Sequence, residues 1–159
     1  MSFRISACTI AKNEEKNIAR SIESYKNYVD EIIIVDTGST DNTVNIAESL
    51  GAKVFNFEWI NDFSAARNFA IEQATGDWIL FLDADEWIKD NQGEKLQSII
   101  KTAVNNELSA VSFRMYNLND DGTIDDIIPS LRLFENKPNI RYIRKIHEHL
   151  INIETNKNL

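Results

Sequence analysis

Cysteine is nearly missing from this chain. Cys8 is the only one, so no disulfide can form within the chain, and the simplest reading is a buried thiol in a reducing compartment. Glycine and proline are scarce, at 5 and 2 residues, and with no internal repeat or low-complexity tract the composition carries no sign of disorder. Long apolar runs are lacking too. The apolar segment after Phe3 is short and runs into Lys12-Asn13-Glu14-Glu15-Lys16, which is not the pattern of a cleavable leader, and no stretch approaches a membrane span. Lysine and arginine number 17 against 25 acids, a formal net charge of -8, which argues against a nucleic-acid backbone as the main partner while allowing a local basic patch. The expectation is a cytoplasmic protein, and peripheral association with the inner face of a membrane would leave little trace in such a composition.

What is present suits one domain. At 159 residues and 43% apolar the chain can bury roughly 70% of the surface its unfolded form exposes. Arg4 to Ala11 reads as a first strand, followed by Asn13 as a cap and a helix with Ile18, Ile22, Tyr25 and Val29 on its buried stripe. Glu31 to Asp36 is apolar without alternation, the pattern of a central parallel strand. After it Gly38 permits a turn, Ser39 or Thr40 can cap, and Val44, Ala47 and Leu50 line a helix that Gly51 ends. Ala52 to Phe55 makes a third strand. Asp62 caps the next helix, with Phe63, Ala66, Ala70 and Ala74 as its stripe and Arg67 and Asn68 off it. Trp78 to Leu82 is a fourth strand, and a helix from about Gln92 to Asn106 follows.

From Ser109 the texture changes. Val111, Phe113 and Met115 alternate with polar or aromatic neighbours, Asp120-Asp121-Gly122 signals a turn, and Ile127 to Phe134 and Ile140 to Ile153 read as short strands. The expected class is α/β: three αβα layers around a mostly parallel, Rossmann-like sheet, with a β-rich carboxyl-terminal part from residue 109. The polar tail Glu154 to Leu159 stops soon after candidate site residues, which leaves open that the chain is a fragment.

In open α/β sheets ligands gather beyond the carboxyl ends of the strands. Three such ends carry polar groups here: Ile10 to Asn13, Asp36 to Asp41, and Asp83 to Glu86. Asp83 and Asp85, one residue apart in extended backbone, project to one side and could engage a hard divalent cation or a row of hydroxyls. Taken alone, such a pair could equally solvate a loop or cap a helix.

The succession Thr9-Ile-Ala-Lys-Asn-Glu-Glu, Ile34-Val-Asp-Thr-Gly-Ser-Thr-Asp-Asn-Thr, Ala66-Arg-Asn and Gly76-Asp-Trp-Ile-Leu-Phe-Leu-Asp-Ala-Asp-Glu resembles glycosyltransferase family 2, which has the GT-A fold. Ser130-Leu-Arg-Leu-Phe and Ile146-His-Glu resemble, less specifically, the branch found in bacterial lipopolysaccharide-core and peptide glycosyltransferases. The resemblance implies a nucleotide-sugar-binding half over residues 1–108 and an acceptor-side half over 109–159 of one GT-A domain. It implies a nucleotide-sugar donor, commonly a UDP-sugar, a Mg²⁺ or Mn²⁺ ion on its diphosphate, and a saccharide, lipid-linked or peptide acceptor. The residues so implied for substrate are Ile10, Ala11, Lys12, Asn13, Asp36, Thr37, Arg67, Asp83, Ala84 and Arg132. Asp85 matches the metal-binding acid and Asp83 the acid that meets ribose or metal. Asp36 matches the base-recognising position, and Thr37 stands where the family often has a second acid, which puts the choice of base in question.

The reaction so implied is transfer with inversion, and a base must take the acceptor's proton. Candidates lie in Arg144-Lys-Ile-His-Glu-His, where a continuous strand would put His147 and His149 on one face and Glu148 on the other. Glu148 is assigned as base and His147 as a third metal ligand beside Asp83 and Asp85. Blander readings stay beside these: Asn13 as a simple cap, Arg67 as a solvated arginine paired with Asp62 or Glu72, Arg132 as an ordinary edge-strand residue, and the His-Glu-His segment as an exposed terminal strand. Two other functions compete. Aspartate-nucleophile phosphatases also place Asp-x-Asp after a strand, though usually early in the chain and without a residue like Trp87, and a donor-binding domain without turnover would share the same motifs.

Overall fold

The apolar runs of the amino-terminal half form the centre of a sheet. In the computed structural model, which describes residues 2–159, Ile5–Ala11 (β1), Glu31–Asp36 (β2), Lys53–Asn56 (β3) and Trp78–Phe81 (β4) pair in parallel, and Ile124–Glu135 (β6) and Ala110–Leu118 (β5) add antiparallel strands, giving the order β3-β2-β1-β4-β6-β5. Helices Ile18–Tyr25 (α1), Thr43–Ser49 (α2) and Leu96–Asn105 (α4) cover one face. Phe63–Glu72 (α3) covers the other with a small antiparallel sheet of Ile140–Ile143 (β7), His149–Asn152 (β8) and Lys157–Asn158 (β9). The fold is the expected mixed α/β class with a mostly parallel central sheet. Among the described residues no helix is long and apolar enough to cross a membrane.

Why β2 and β4 lack alternation is visible in the packing. Ile32 and Ile34 meet α1 and α2 on one face, while Ile33 and Val35 meet α3 on the other; Trp78 and Leu80 against Ile79 and Phe81 repeat this in β4. Burial on both faces asks for apolar residues at every position. The Cys8 thiol sits in the second layer, fully buried, and its pKa is pushed up by burial and then by the Glu31 charge, so it stays a neutral thiol.

Several expectations need correction. Asn13 does not cap α1, which begins at Ile18 after Asn17; Asn13 takes a positive φ of 57° and turns the chain back toward the β2–α2 loop. At α2 the cap position is neither Ser39 nor Thr40 but Asn42, whose side chain caps no backbone N–H; the Thr43 N–H is taken instead by Asp41, one residue before Asn42. Asp62 does cap α3, accepting from the Ala65 N–H at 3.0 Å, but the buried stripe is Ser64, Ala66, Arg67, Ala70 and Ile71. Phe63 faces outward, because the helix is turned so that Arg67 points into the structure. The stretch Ile140 to Ile153 is two strands separated by a turn, and the tail adds β9. The β5–β6 hairpin is longer than its apolar pattern suggested and leaves Tyr116, Leu118, Ile124 and Ile127 exposed.

At the opposite edge from the strand carboxyl ends, Gly76 lies so close to β1 that a Cβ there would meet Ser6 Oγ at 2.6 Å and the Ser6 backbone nitrogen at 2.8 Å. The same crowding gathers Ser6, Thr75 and Lys53 around the buried Glu31 carboxylate. Burial pushes Glu31 up, but the hydrogen bonds from the Ser6 hydroxyl, the Thr75 N–H, Lys53 and the Thr75 hydroxyl outweigh it and hold the pKa at about 2. A carboxyl held below its ordinary 4.5 stabilises the fold above that pH and loses the contribution as pH falls toward 2. That displacement corresponds to about 3 kcal/mol. In urea titrations, the stability gap between wild type and Glu31→Gln is expected to be largest above about pH 5 and to close toward pH 2; a gap independent of pH would contradict the assignment.

Candidate functional site

The carboxyl ends of β1, β2 and β4 share one edge of the sheet because the three strands are adjacent and parallel. At the first two, the loops are sewn together by their own polar side chains. The Asn13 N–H donates to Ser39 Oγ at 2.9 Å, and the Thr40 N–H donates to Asn13 Oδ1 at 2.7 Å. The Thr37 N–H and hydroxyl both donate to the Ala11 carbonyl, at 3.0 and 3.2 Å. Asp36 is nearly buried and accepts from the Gly38 and Ser39 N–H groups at 3.0 Å. Its carboxylate therefore shapes the turn, whose Gly38 has a φ of 104°. Ile10 is half-buried and Ala11 buried at the strand end, while Lys12 stands exposed.

The β4 end is organised by charge. Asp83 receives Arg67 Nη2 on Oδ1 at 2.7 Å and Arg132 Nη2 on Oδ2 at 3.4 Å. Arg67 also donates through Nε to Glu148 Oε1 at 2.8 Å. Its side chain is only 9% exposed, with the guanidinium 4.8 Å from the Phe81 ring centre and 5.3 Å from that of Tyr142. Burial works against the Arg67 charge, but the carboxylates of Asp83 and Glu148 outweigh it and raise its pKa. The blander pairing with Asp62 or Glu72 is not formed, since Asp62 is used as the cap of α3.

Arg132 reaches this cluster through a bulge. Leu133 pairs with Val111 and Leu131 with Ser112, so Arg132 is the extra residue of β6, which re-aims it toward the acid turn. There Glu86 accepts from Arg132 Nε at 2.8 Å and Nη2 at 2.6 Å. Arg67, Ser130, Leu131, Arg132, Tyr142 and Glu148 line a cleft of about 320 Å³. Burial pushes the Tyr142 phenol up to about 12 despite Arg67 and Arg132, so it remains a neutral wall of this cleft.

Glu148 belongs to a turn, not a strand. Arg144 and His147 take positive φ values of 75° and 54°, which breaks the alternation expected of His147, Glu148 and His149. The turn is held by the start of α3: the Phe63 N–H donates to the Lys145 carbonyl at 3.0 Å, and the Ser64 hydroxyl donates to the Arg144 carbonyl. Asn68 adds a two-way bond to the Tyr142 backbone, 2.9 Å in each direction.

The structure thus gathers Arg67, Asp83, Arg132 and Glu148 into one network and leaves other expected residues outside it. Ala84 is buried beneath the acid turn, Asp85 is exposed, and His147 is exposed on the far turn. Among the described residues no three His, Cys, Asp or Glu side chains converge as a ready metal cage. Asp85 nevertheless fits a hard cation: it is a carboxylate open to solvent, without a hydrogen bond to any described residue, as a site completed by substrate oxygens requires. Asp83 fits less well, since both its oxygens face guanidinium groups. No separate residue pattern marks Tyr142 or the Glu86 clamp, although Glu86 lies within the motif that names Asp83 and Asp85.

Residues 6–152 match the profile of glycosyl transferase family 2. A TPR repeat-containing protein of Synechococcus elongatus is 40% identical over 91% of this chain and 35% of its own length. The SPbeta prophage-derived glycosyltransferase SunS of Bacillus subtilis is 34% identical over 90% of this chain and 34% of its own. The chain therefore spans about a third of the length of these curated relatives. Among solved structures, S. aureus TarS 1-349 in complex with UDP-GlcNAc superposes with a TM-score of 0.62 at 27% identity, covering 76% of this chain and 36% of that one.

Removing Arg67 would leave Asp83 and Glu148 without their shared cation. Arg67→Ala is expected to lower the unfolding free energy by about 3 kcal/mol in urea titrations. Arg67→Lys should recover only part of it, because one ammonium cannot span both carboxylates as a planar fork does. A neutral Arg67→Ala would show that the network contributes nothing to the fold.

Proposed function

The chain belongs to glycosyl transferase family 2, and from that premise we propose that it transfers a sugar from a UDP-sugar to an acceptor hydroxyl, with inversion at the anomeric carbon. The single observation that carries this reading is the buried Arg67, bonded at once to Asp83 at the donor edge and to Glu148 in the cleft. One guanidinium so couples the side where a diphosphate departs to the side where a nucleophile arrives. The likeness to a UDP-GlcNAc complex of TarS supports the choice of donor.

In this reading the joined loops around Lys12, Asn13 and Thr37 present the nucleoside with backbone groups, and Asp36 fixes their turn. Arg67 and Arg132 each commit Nε and Nη2 to carboxylates. Nη1 is then the edge each offers to an anion; that of Arg132 bonds only to the Leu131 carbonyl, at 3.4 Å. Asp85 would hold Mg²⁺ or Mn²⁺. When bound, the cation supplies positive charge to the departing diphosphate without a proton. Glu148 Oε1 is held by Arg67, which leaves Oε2 to take the acceptor's proton as the hydroxyl attacks. His147 stands outside this scheme, exposed on its turn. The acceptor is a saccharide, lipid-linked or peptide hydroxyl, and the site of action is the cytoplasm.

Calorimetry of UDP and UDP-GlcNAc with and without Mn²⁺, run beside an assay of UDP release, tests the reading. Binding is expected to strengthen with Mn²⁺, and Asp85→Ala should weaken it by more than about tenfold, or about 1.4 kcal/mol. Unchanged Mn²⁺-dependent affinity in that variant would sink the metal assignment. Glu148→Gln should bind donor normally while transfer falls by roughly 10²–10⁴. Tight binding with no UDP release from wild type would instead favour a donor-binding domain without turnover.

A further inference from the structure

We propose that Glu86 is a positioning residue of this site, acting through Arg132; the inference rests on the nucleotide-sugar reading above. Glu86 ends the acid turn after β4, and it is tied to Asp83 in both directions. Its N–H donates to the Asp83 carbonyl at 3.0 Å, and its Oε2 accepts from the Asp83 N–H at 3.0 Å. The same carboxylate grips Arg132 at two points, Nε on Oε2 and Nη2 on Oε1. Both side chains are largely withdrawn from water, at 16% and 18% exposure, so the pair is screened less than a surface salt bridge. Burial works against the Arg132 charge, but the Glu86 hydrogen bond and charge, with that of Asp83, raise its pKa.

The geometry gives this clamp a specific job. Arg132 has two carboxylates within reach, and the two are not equivalent: its bonds to Glu86 are short, whereas its contact with Asp83 is 3.4 Å. Glu86 takes the Nε–Nη2 edge and so keeps Arg132 from closing on Asp83 as a full fork. Asp83 then remains bonded to Arg67, and Nη1 of Arg132, a residue that lines the cleft, is committed to no carboxylate. The bulge supplies the reach and Glu86 supplies the orientation. Two further contacts pin the turn that carries Glu86: Arg20 stacks on Trp87 at 3.3 Å, and the Ile88 N–H donates to Ser24 Oγ at 3.0 Å. A turn anchored this way can hold a charged side chain in one rotamer.

The test compares Glu86→Gln, Arg132→Gln and the double variant, measuring UDP affinity by calorimetry, KM and kcat for UDP-GlcNAc turnover, and thermal unfolding. Glu86→Gln is expected to weaken UDP binding and raise KM by roughly tenfold, the scale of coupling between side chains in direct contact. In the Arg132→Gln background it should add less than about twofold. Equal effects in both backgrounds, or unchanged UDP affinity in Glu86→Gln, would overturn the proposal. Glu86→Asp keeps the charge but shortens the reach, so it reads the same clamp if Glu86→Gln unfolds; wild-type affinity in Glu86→Asp counts against the two-point grip. A wild-type protein that binds no UDP would defeat the nucleotide-sugar reading and this proposal together, whereas intact wild-type binding with unaffected variants defeats only the role of Glu86.

Discussion

The buried guanidinium of Arg67 is the constraint on which the site depends. A cation withdrawn from water needs compensating charge, and here Asp83 after β4 and Glu148 between β7 and β8 supply it from two separate parts of the chain. To satisfy both, α3 must be turned with Arg67 inward, β4 must end where Asp83 can meet it, and the turn between β7 and β8 must bring Glu148 in from the small sheet. The orientation of α3 is fixed by its start, where Asp62 caps the helix and Phe63 and Ser64 grip the backbone of the Glu148 turn. One helix thus supplies both the cation and the anchor for one of its partners.

In the proposed function, this arrangement is what lets an acidic chain offer a site to an anion. The net charge of -8 is no help to a diphosphate, yet Arg67 and Arg132 are concentrated at one strand end and each is held by carboxylates. Holding them costs part of their charge to Asp83, Glu86 and Glu148, and gains orientation. Asp85 carries no such partner among the described residues, which is why it and not Asp83 suits a cation. Two acids one residue apart therefore stand in different surroundings, one bonded to guanidinium groups and the other open to solvent.

The central strands were readable because burial on both faces leaves a mark at every position. Glu31–Asp36 is found with the bounds its apolar run suggested, and Trp78–Phe81 differs by one residue. Asp62 was readable as a cap for the same local reason. Asn13 was not, since its bond to Thr40 joins residues 27 apart in the chain, and a left-handed asparagine looks like a cap from its neighbours alone. The His147 to His149 segment misled because a run between apolar residues does not reveal a turn made by positive φ at Arg144 and His147. The stripe of α3 was displaced for a related reason: an arginine is assigned to solvent unless its partners are known.

By itself the sequence determined the order of strands and helices, the edge of the sheet where polar groups collect, and the family through motifs at those strand ends. These are local properties, written in periodicity and in short runs of residue type. Only the tertiary structure decided which charges pair. Arg67 and Glu148 are 81 residues apart, and Arg132 and Glu86 are 46 apart. Arg132 moreover owes its direction to a bulge that residue spacing does not announce. The division follows from the physics: burial acts on each residue where it stands, whereas an ion pair exists only once the fold has carried two distant side chains out of water and into reach of each other.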